Sequence, residues 1–501
     1  MRYLIQTFTK SIDPSWNLSV ISITILLSLL LSIFVLIDPV YSSNALSNLY
    51  SFLSYKFEYV FMYGSFGLLI FLFLLASSRY GRIQIKLDNK PEYSIFSWGS
   101  MLFAAGIGAT VLYWSTVEWI DYYNILKSNS NNIDSDALIY ARTYPVFHWG
   151  FTAWAIYCLP VIAFSLALNN YPNSKLTFSG ILNAKNKIYR LSLDIIFIGA
   201  IICAAGVGLG ISFPLISSVI SKILLIERSF TLDIITIATC SIIFASSAYI
   251  GVQKGIKRLS SLNIILVIIF LFLVLILGPT KYIIENSADT LFFYVTQYAS
   301  MSLATGTEIS LDWTVFYWAW WFALAPMVGT FLVNISNQKT IREIIFGTIF
   351  IGSFGCMLCM LILSNLSISL FEENIINAPL AIEEKILSRE DLVVNTIASL
   401  DFGYFLLIAF ALILIIFLCT TYDSASYVLA SASMNKSNIS SSKSLRLLFA
   451  LILVVQPTLL MYLNGVDSFK WIMVIFSIPL LFINLLLLFS IIKNVHSAKK
   501  S

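Results

Sequence analysis

Runs of about twenty apolar residues recur along the whole 501-residue chain, and each is long enough to cross a bilayer as a helix. Twelve stand out, at 18–37, 60–78, 96–119, 146–168, 195–219, 231–250, 260–278, 313–333, 344–365, 402–430, 446–462 and 471–492. A hydrocarbon core offers no water to backbone N–H and C=O groups, so such runs must satisfy them internally, as helices do. Hydrophobic residues make up 58% of the chain and charged ones only 11%, where a soluble domain carries roughly a quarter charged residues. The expected fold class is therefore an all-α integral membrane protein with twelve transmembrane helices. A cleavable secretory signal is not expected, because the first run is too long and starts too late.

Lys and Arg gather on the cytoplasmic side of membrane proteins. With both termini inside, the cytoplasmic segments would hold 21 of the 30 basic residues, including Arg79, Arg82, Lys86 and Lys90 in one loop. The external loops hold nine, together with most of the acids, such as Glu372, Glu373, Glu383, Glu384, Glu390 and Asp391. The bias accounts for the net charge of +4 and gives no reason to expect a nucleic-acid partner. The reading places a cytoplasmic tail at 1–17, two N-terminal helices at 18–95, two five-helix units at 96–280 and 313–492, and a short tail at 493–501. An external loop at 281–312, with room for a surface helix, separates the two units.

All six cysteines (Cys158, Cys203, Cys240, Cys356, Cys359, Cys419) fall inside expected spans, so no disulfide framework is expected. The chain has two histidines, and only His148 lies near a span. Haem and catalytic metal sites in helical bundles need several inward ligands, which makes a membrane enzyme the least supported class. A channel would need a continuous polar lining, and the spans carry isolated polar clusters only.

Those clusters carry the functional reading. Trp313–Trp321 (Trp-Thr-Val-Phe-Tyr-Trp-Ala-Trp-Trp) has six aromatic residues in nine, more than an interfacial belt needs. Packed rings are one use for them; another is a cage for a quaternary ammonium, held by cation–π attraction worth about 2 kcal/mol once desolvated. Span three carries Gly106 and Gly108 near its middle, which serve either close helix contact or an unwound segment facing a cavity. Span ten ends in Cys-Thr-Thr-Tyr-Asp-Ser-Ala-Ser (Cys419–Ser426). There Thr420 and Thr421 either bond back to the preceding turn or offer oxygens to a small hard cation beside unwound carbonyls. If spans 3–7 and 8–12 are two repeats, these two weakened helices form a midplane site for substrate and sodium. Glu118, near one end of span three, reads as a helix-end or gate residue in preference to a proton relay. Asp423 is an ionisable group at membrane depth, which needs a partner or water.

Taken together, these segments resemble the betaine–choline–carnitine transporter family. The resemblance rests on Trp313–Trp321 followed by Ile335–Ser336 and Thr340–Glu343, on Phe147-His148-Trp149-Gly150 with Trp154-Ala155-Ile156-Tyr157, on Gly251–Ile256 and on Gly206–Gly210. It covers roughly residues 10–495. It implies two inverted five-helix repeats (helices 3–7 and 8–12) behind two extra N-terminal helices, a homotrimer, and residence in the plasma (inner) membrane. It implies an aromatic box of Trp149, Trp154, Tyr157 and Trp321 with Trp320 adjacent, and Gly106, Ile107 and Gly108 on the substrate's polar end. A sodium site would use Thr420 and Thr421 with backbone oxygens of Ala104, Ile107 and Phe417. Sodium would be the coupling ion, and no organic cofactor is expected.

Three departures bear on the substrate and its coupling. Glycine betaine importers of that family commonly show Gly-Met-Gly-Ile-Gly where this chain has Gly106-Ile107-Gly108-Ala109-Thr110. A further family tryptophan is Leu324 here, and the arginine that replaces sodium in carnitine exchangers is matched by Asn263. The expected function is thus sodium-coupled import of a quaternary-ammonium or related methylated osmolyte: glycine betaine, choline, carnitine or a sulfonium analogue. The alternative is sodium-independent exchange of one such substrate for another. Long charged C-terminal helices mark osmotically regulated members, so the short Lys493–Ser501 tail predicts constitutive uptake.

Overall fold

The computed structural model describes residues 13–87, 91–105, 108–129, 134–250, 253–435, 442–464 and 466–498. In chain order the helices are α1 (Leu18–Ile37), α2 (Pro39–Ser77), α3 (Ile95–Ala105), α4 (Ala109–Asn129), α5 (Asp134–His148) and α6 (Phe151–Asn170). After a single turn at Phe178–Ile181 come α7 (Lys187–Leu224), α8 (Phe230–Ile250), α9 (Gln253–Leu277) and α10 (Thr280–Leu303). The chain continues with α11 (Ser310–Ile335) and α12 (Ile341–Glu372), each carrying one π-helical turn. Two short helices, α13 (Ala378–Glu383) and α14 (Arg389–Ala398), lead to α15 (Gly403–Ala432), α16 (Lys443–Asn464) and α17 (Val466–Ala498).

Each of the twelve apolar runs is mostly helical among the described residues, with interruptions at Gly108 and at Trp149–Gly150. Eight helical segments are long and apolar enough to cross a membrane singly among the described residues, and the α9–α10 pair, bent by 112°, makes a ninth if counted as one broken span. Among the described residues the protein is all-helical and multi-pass. Within the stretch read as an external loop with room for a surface helix, α10 runs from Thr280 to Leu303.

Local chemistry sets the helix starts. Asp38 caps α2, accepting from the Tyr41 N–H at 2.9 Å with Pro39 at the first helical position. Thr340 and Glu343 form a reciprocal capping box at the start of α12. Before that start, the chain at Ile83–Ile85 runs beside Gln338–Ile341, with Ile85 N–H to Lys339 C=O at 2.9 Å and Ile341 N–H to Ile83 C=O at 3.0 Å. This short pairing ties the approach to α3 to the α11–α12 turn.

Span three is interrupted: α3 ends at Ala105, Gly108 is non-helical and α4 starts at Ala109. Gly106 and Ile107 lie outside the described residues. Span ten differs from expectation. Instead of unwinding at Cys419–Ser426, α15 is continuous from Gly403 to Ala432. The hydroxyls there satisfy themselves on the helix: Thr420 Oγ1 donates to Ile416 C=O at 3.0 Å and Ser424 Oγ to Thr420 C=O at 2.8 Å. A polar stretch that bonds its own preceding turn leaves the helical ladder intact. Span three is thus interrupted while span ten is not, and the two are not equivalent broken helices.

Candidate functional site

The site forms where α4, the α5–α6 joint and α11 meet. Helix α6 packs along α11. Trp149 and Gly150 sit between α5 and α6, and a Cβ at Gly150 would overlap the Tyr294 hydroxyl and the Val146 carbonyl. Glycine there lets the joint press against α10. Trp154 and Tyr157 follow on the first two turns of α6. On α11, Trp313, Tyr317 and Trp321 recur every four residues, which puts them on one face.

All five rings expected in or beside the box are brought together and buried. Trp149 meets Trp321 edge-on at 4.6 Å between centroids and Trp320 at 6.0 Å. Tyr157 lies 5.8 Å from Trp321 and 5.4 Å from Trp154, both nearly perpendicular. Trp320 and Trp321 are stacked at 5.0 Å. Edge-to-face pairs of this kind set the positive edge of one ring against the electron-rich face of the next. Trp154 depends on a glycine: a Cβ at Gly352, at the end of the α12 π-turn, would overlap its ring.

Three of the five indole and phenol rings are also fixed through their polar atoms. Trp321 Nε1 donates to the His148 carbonyl at 2.9 Å, and Trp320 Nε1 to the Ala204 carbonyl at 3.2 Å. Trp149 Nε1 donates to Glu118 Oε2 at 2.9 Å. Glu118 is completely buried and takes a second bond from the Tyr122 hydroxyl at 2.6 Å, with His148 Nδ1 3.2 Å from the same oxygen. The sequence reading placed Glu118 at a helix end or gate and left out its link to Trp149. The available signal was weak: Glu118 and Tyr122 stand one turn apart, and His148 adjoins Trp149. Trp114 extends the ring cluster, 5.7 Å from Trp313 and 6.2 Å from Tyr317, and its buried Nε1 has no hydrogen-bond partner.

The residues expected to hold sodium are less assembled. Phe417 and Thr420 are buried on consecutive turns of α15, and the Phe417 carbonyl accepts from Thr420 Oγ1 at 3.2 Å. Thr421 is exposed, and Ala104 lies in the last turn of α3. Ile107, with Gly106, lies outside the described residues, and Gly108 is half-buried. A hydroxyl that donates to a carbonyl still has lone pairs for a cation. Asn263, where exchangers carry arginine, is buried and donates to the Ile413 carbonyl at 3.2 Å, joining α9 to α15.

A multi-pass helical bundle with one interrupted span beside a buried cluster of fixed rings is the architecture of a small-solute membrane transporter. The model of the betaine/carnitine/choline family of transporters, BCCT, matches residues 19–500, and the chain belongs to that family. It is a transporter and not an enzyme. Among its relatives are a carnitine transporter of Acinetobacter baumannii, 28% identical over 86% of this chain and 80% of the relative. The glycine betaine transporter OpuD of Bacillus subtilis is 27% identical over 86% of this chain and 85% of its own length. A high-affinity choline transport protein of Escherichia coli is 27% identical over 91% of this chain and 69% of its own length.

Proposed function

We propose that this chain imports a small quaternary-ammonium or related methylated solute (glycine betaine, choline, carnitine or a sulfonium analogue) by sodium-coupled alternating access. The observation that carries the reading is the convergence of Trp149, Trp154 and Tyr157 on Trp321 in a buried place. A trimethylammonium group cannot donate a hydrogen bond, so it is held by ring faces, and their grip strengthens when water is excluded. Relatives named for carnitine, glycine betaine and choline transport support the same class. Backbone amides at the Gly108 break, close to the start of α4, suit a carboxylate if the solute is zwitterionic.

Sodium at Thr420 and Thr421, with carbonyls from α3 and α15, supplies the coupling in this reading. Ion and solute together favour a closed state, and opening to the other side releases both; the work comes from their differential affinity for the states. Twelve spans in two inverted repeats, with both termini in the cytoplasm, agree with the distribution of basic residues. A homotrimer in the plasma membrane is part of the same proposal.

The test is uptake of labelled glycine betaine, choline, carnitine and dimethylsulfoniopropionate into proteoliposomes, with and without an inward sodium gradient. Accumulation of at least one of them only with sodium is expected. Uptake of none overturns the substrate class, and equal uptake without sodium overturns the coupling.

A further inference from the structure

Glu118 meets hydrogen-bond donors on both oxygens and, among the described residues, no Lys or Arg. The Trp149 indole N–H, which can only donate, occupies Oε2 at 2.9 Å. The Tyr122 hydroxyl occupies Oε1 at 2.6 Å, with His148 Nδ1 at 3.2 Å. Both carboxyl oxygens thus lie within hydrogen-bond distance of a donor group. Among the described residues His148, itself 2.8 Å from the Tyr122 hydroxyl, is the one basic side chain paired with it, and no Lys or Arg is. A carboxylate buried to zero exposure with no Lys or Arg against it gains from a positive charge brought near.

The same carboxylate is wired into both walls of the box. Trp149, held by Oε2, is the ring that meets Trp321 at 4.6 Å. His148 reaches Thr314 Oγ1 on α11 through Nε2 at 3.0 Å and stacks on Tyr317 at 4.7 Å. Its carbonyl receives the Trp321 N–H at 2.9 Å. One acidic side chain thus fixes a ring on the α5–α6 side and, through His148, the ring face of α11.

We propose that Glu118 is the positioning residue of the box and its fixed negative charge. It orients Trp149 through the indole N–H, and it makes the site select a permanently charged ammonium over a neutral group of the same shape. This rests on the trimethylammonium reading above. A charge at the far side of the indole strengthens the pull of that ring on a cation and adds direct attraction, while it gives a tert-butyl group nothing.

The measurement is binding to purified protein, read by intrinsic tryptophan fluorescence, of two matched pairs. Choline is paired with 3,3-dimethylbutan-1-ol, and glycine betaine with 3,3-dimethylbutanoate, each pair differing by carbon in place of N⁺. In Glu118→Gln the preference for the ammonium member should fall by about tenfold or more, with the carbon isostere changed less than about twofold. Glu118→Asp, which keeps the charge on a shorter arm, should retain most of the preference despite weaker binding overall. A Gln variant that loses both members of a pair equally, or neither, overturns the proposal. If the Gln variant does not fold, loss of the preference in the Asp variant overturns it instead. Absence of any ammonium binding in the unaltered protein is a separate result, which removes the parent reading.

Discussion

Arg389 holds Asp121 with both guanidinium arms, Nη1 to Oδ2 at 2.7 Å and Nη2 to Oδ1 at 2.8 Å, across 268 residues of sequence. The pair ties α14 to α4. Ser218 Oγ donates to Asp391 Oδ1 at 2.5 Å and Lys222 Nζ to Asn395 Oδ1 at 3.0 Å, tying α14 to α7 as well. Arg228 adds an ion pair to Glu390 at 3.5 Å. Helix α14 is thereby fastened over one end of the bundle, next to the α4 segment that carries Trp114 and Glu118.

Opening that end of the bundle requires those bonds to break. Arg389→Gln removes a paired charge and leaves Asp121 without its cation, a change worth about 1.5–3 kcal/mol for a charged hydrogen bond. A cysteine placed at the buried Leu392 should then react with a membrane-impermeant maleimide about tenfold faster than in the unaltered background. The exchanged pair, Arg389→Asp with Asp121→Arg, should bring the rate back toward the original. Unchanged labelling in Arg389→Gln would show that α14 is not restrained by this pair.

Trp321→Leu removes the ring that faces both Trp149 and Tyr157. Loss of about 2 kcal/mol of cation–π attraction corresponds to an apparent Km raised about thirtyfold. Phe292→Leu is the comparator, since Phe292 is 73% exposed on α10. Trp98 would serve poorly: it is buried against Gly347 and donates to Ser336 Oγ at 3.3 Å, so its loss disturbs packing. Equal Km values for the two variants would remove Trp321 from the box.

Gly352→Ala forces a methyl group into the Trp154 ring. Overpacking of this kind costs about 1–3 kcal/mol, and here it should appear as weakened substrate binding because the ring it displaces lines the box. Gly67→Ala, with nothing within 4 Å of the added carbon, should leave binding unchanged. Binding measured by fluorescence titration checks both, and full affinity in Gly352→Ala would show that Trp154 can shift without consequence.

Thr420→Val keeps the shape of the side chain but removes the hydroxyl that lies against the Ile416 and Phe417 carbonyls. If that oxygen also serves sodium, the sodium concentration for half-maximal uptake should rise several-fold, and Thr421→Ala should act in the same direction. Unaltered sodium activation in both variants would separate coupling from this part of α15.

What consecutive residues dictate was legible in the chain alone. The apolar runs mark helix at all twelve places, because hydrocarbon length and backbone satisfaction depend on residues next to one another. The interruption of span three includes Gly108 for the same local reason. The hydroxyl content of Cys419–Ser426 suggests unwinding, but helix geometry lets Thr420, Ser424 and Ser426 reach carbonyls of the preceding turn. The resemblance singled out the five box rings by position, but only tertiary packing brings Trp321, 173 residues from His148, onto its carbonyl. It alone places Glu118 behind Trp149, 31 residues away. A hydropathy pattern gives the face a side chain occupies on its own helix; which charge waits on the opposing helix depends on how the bundle closes.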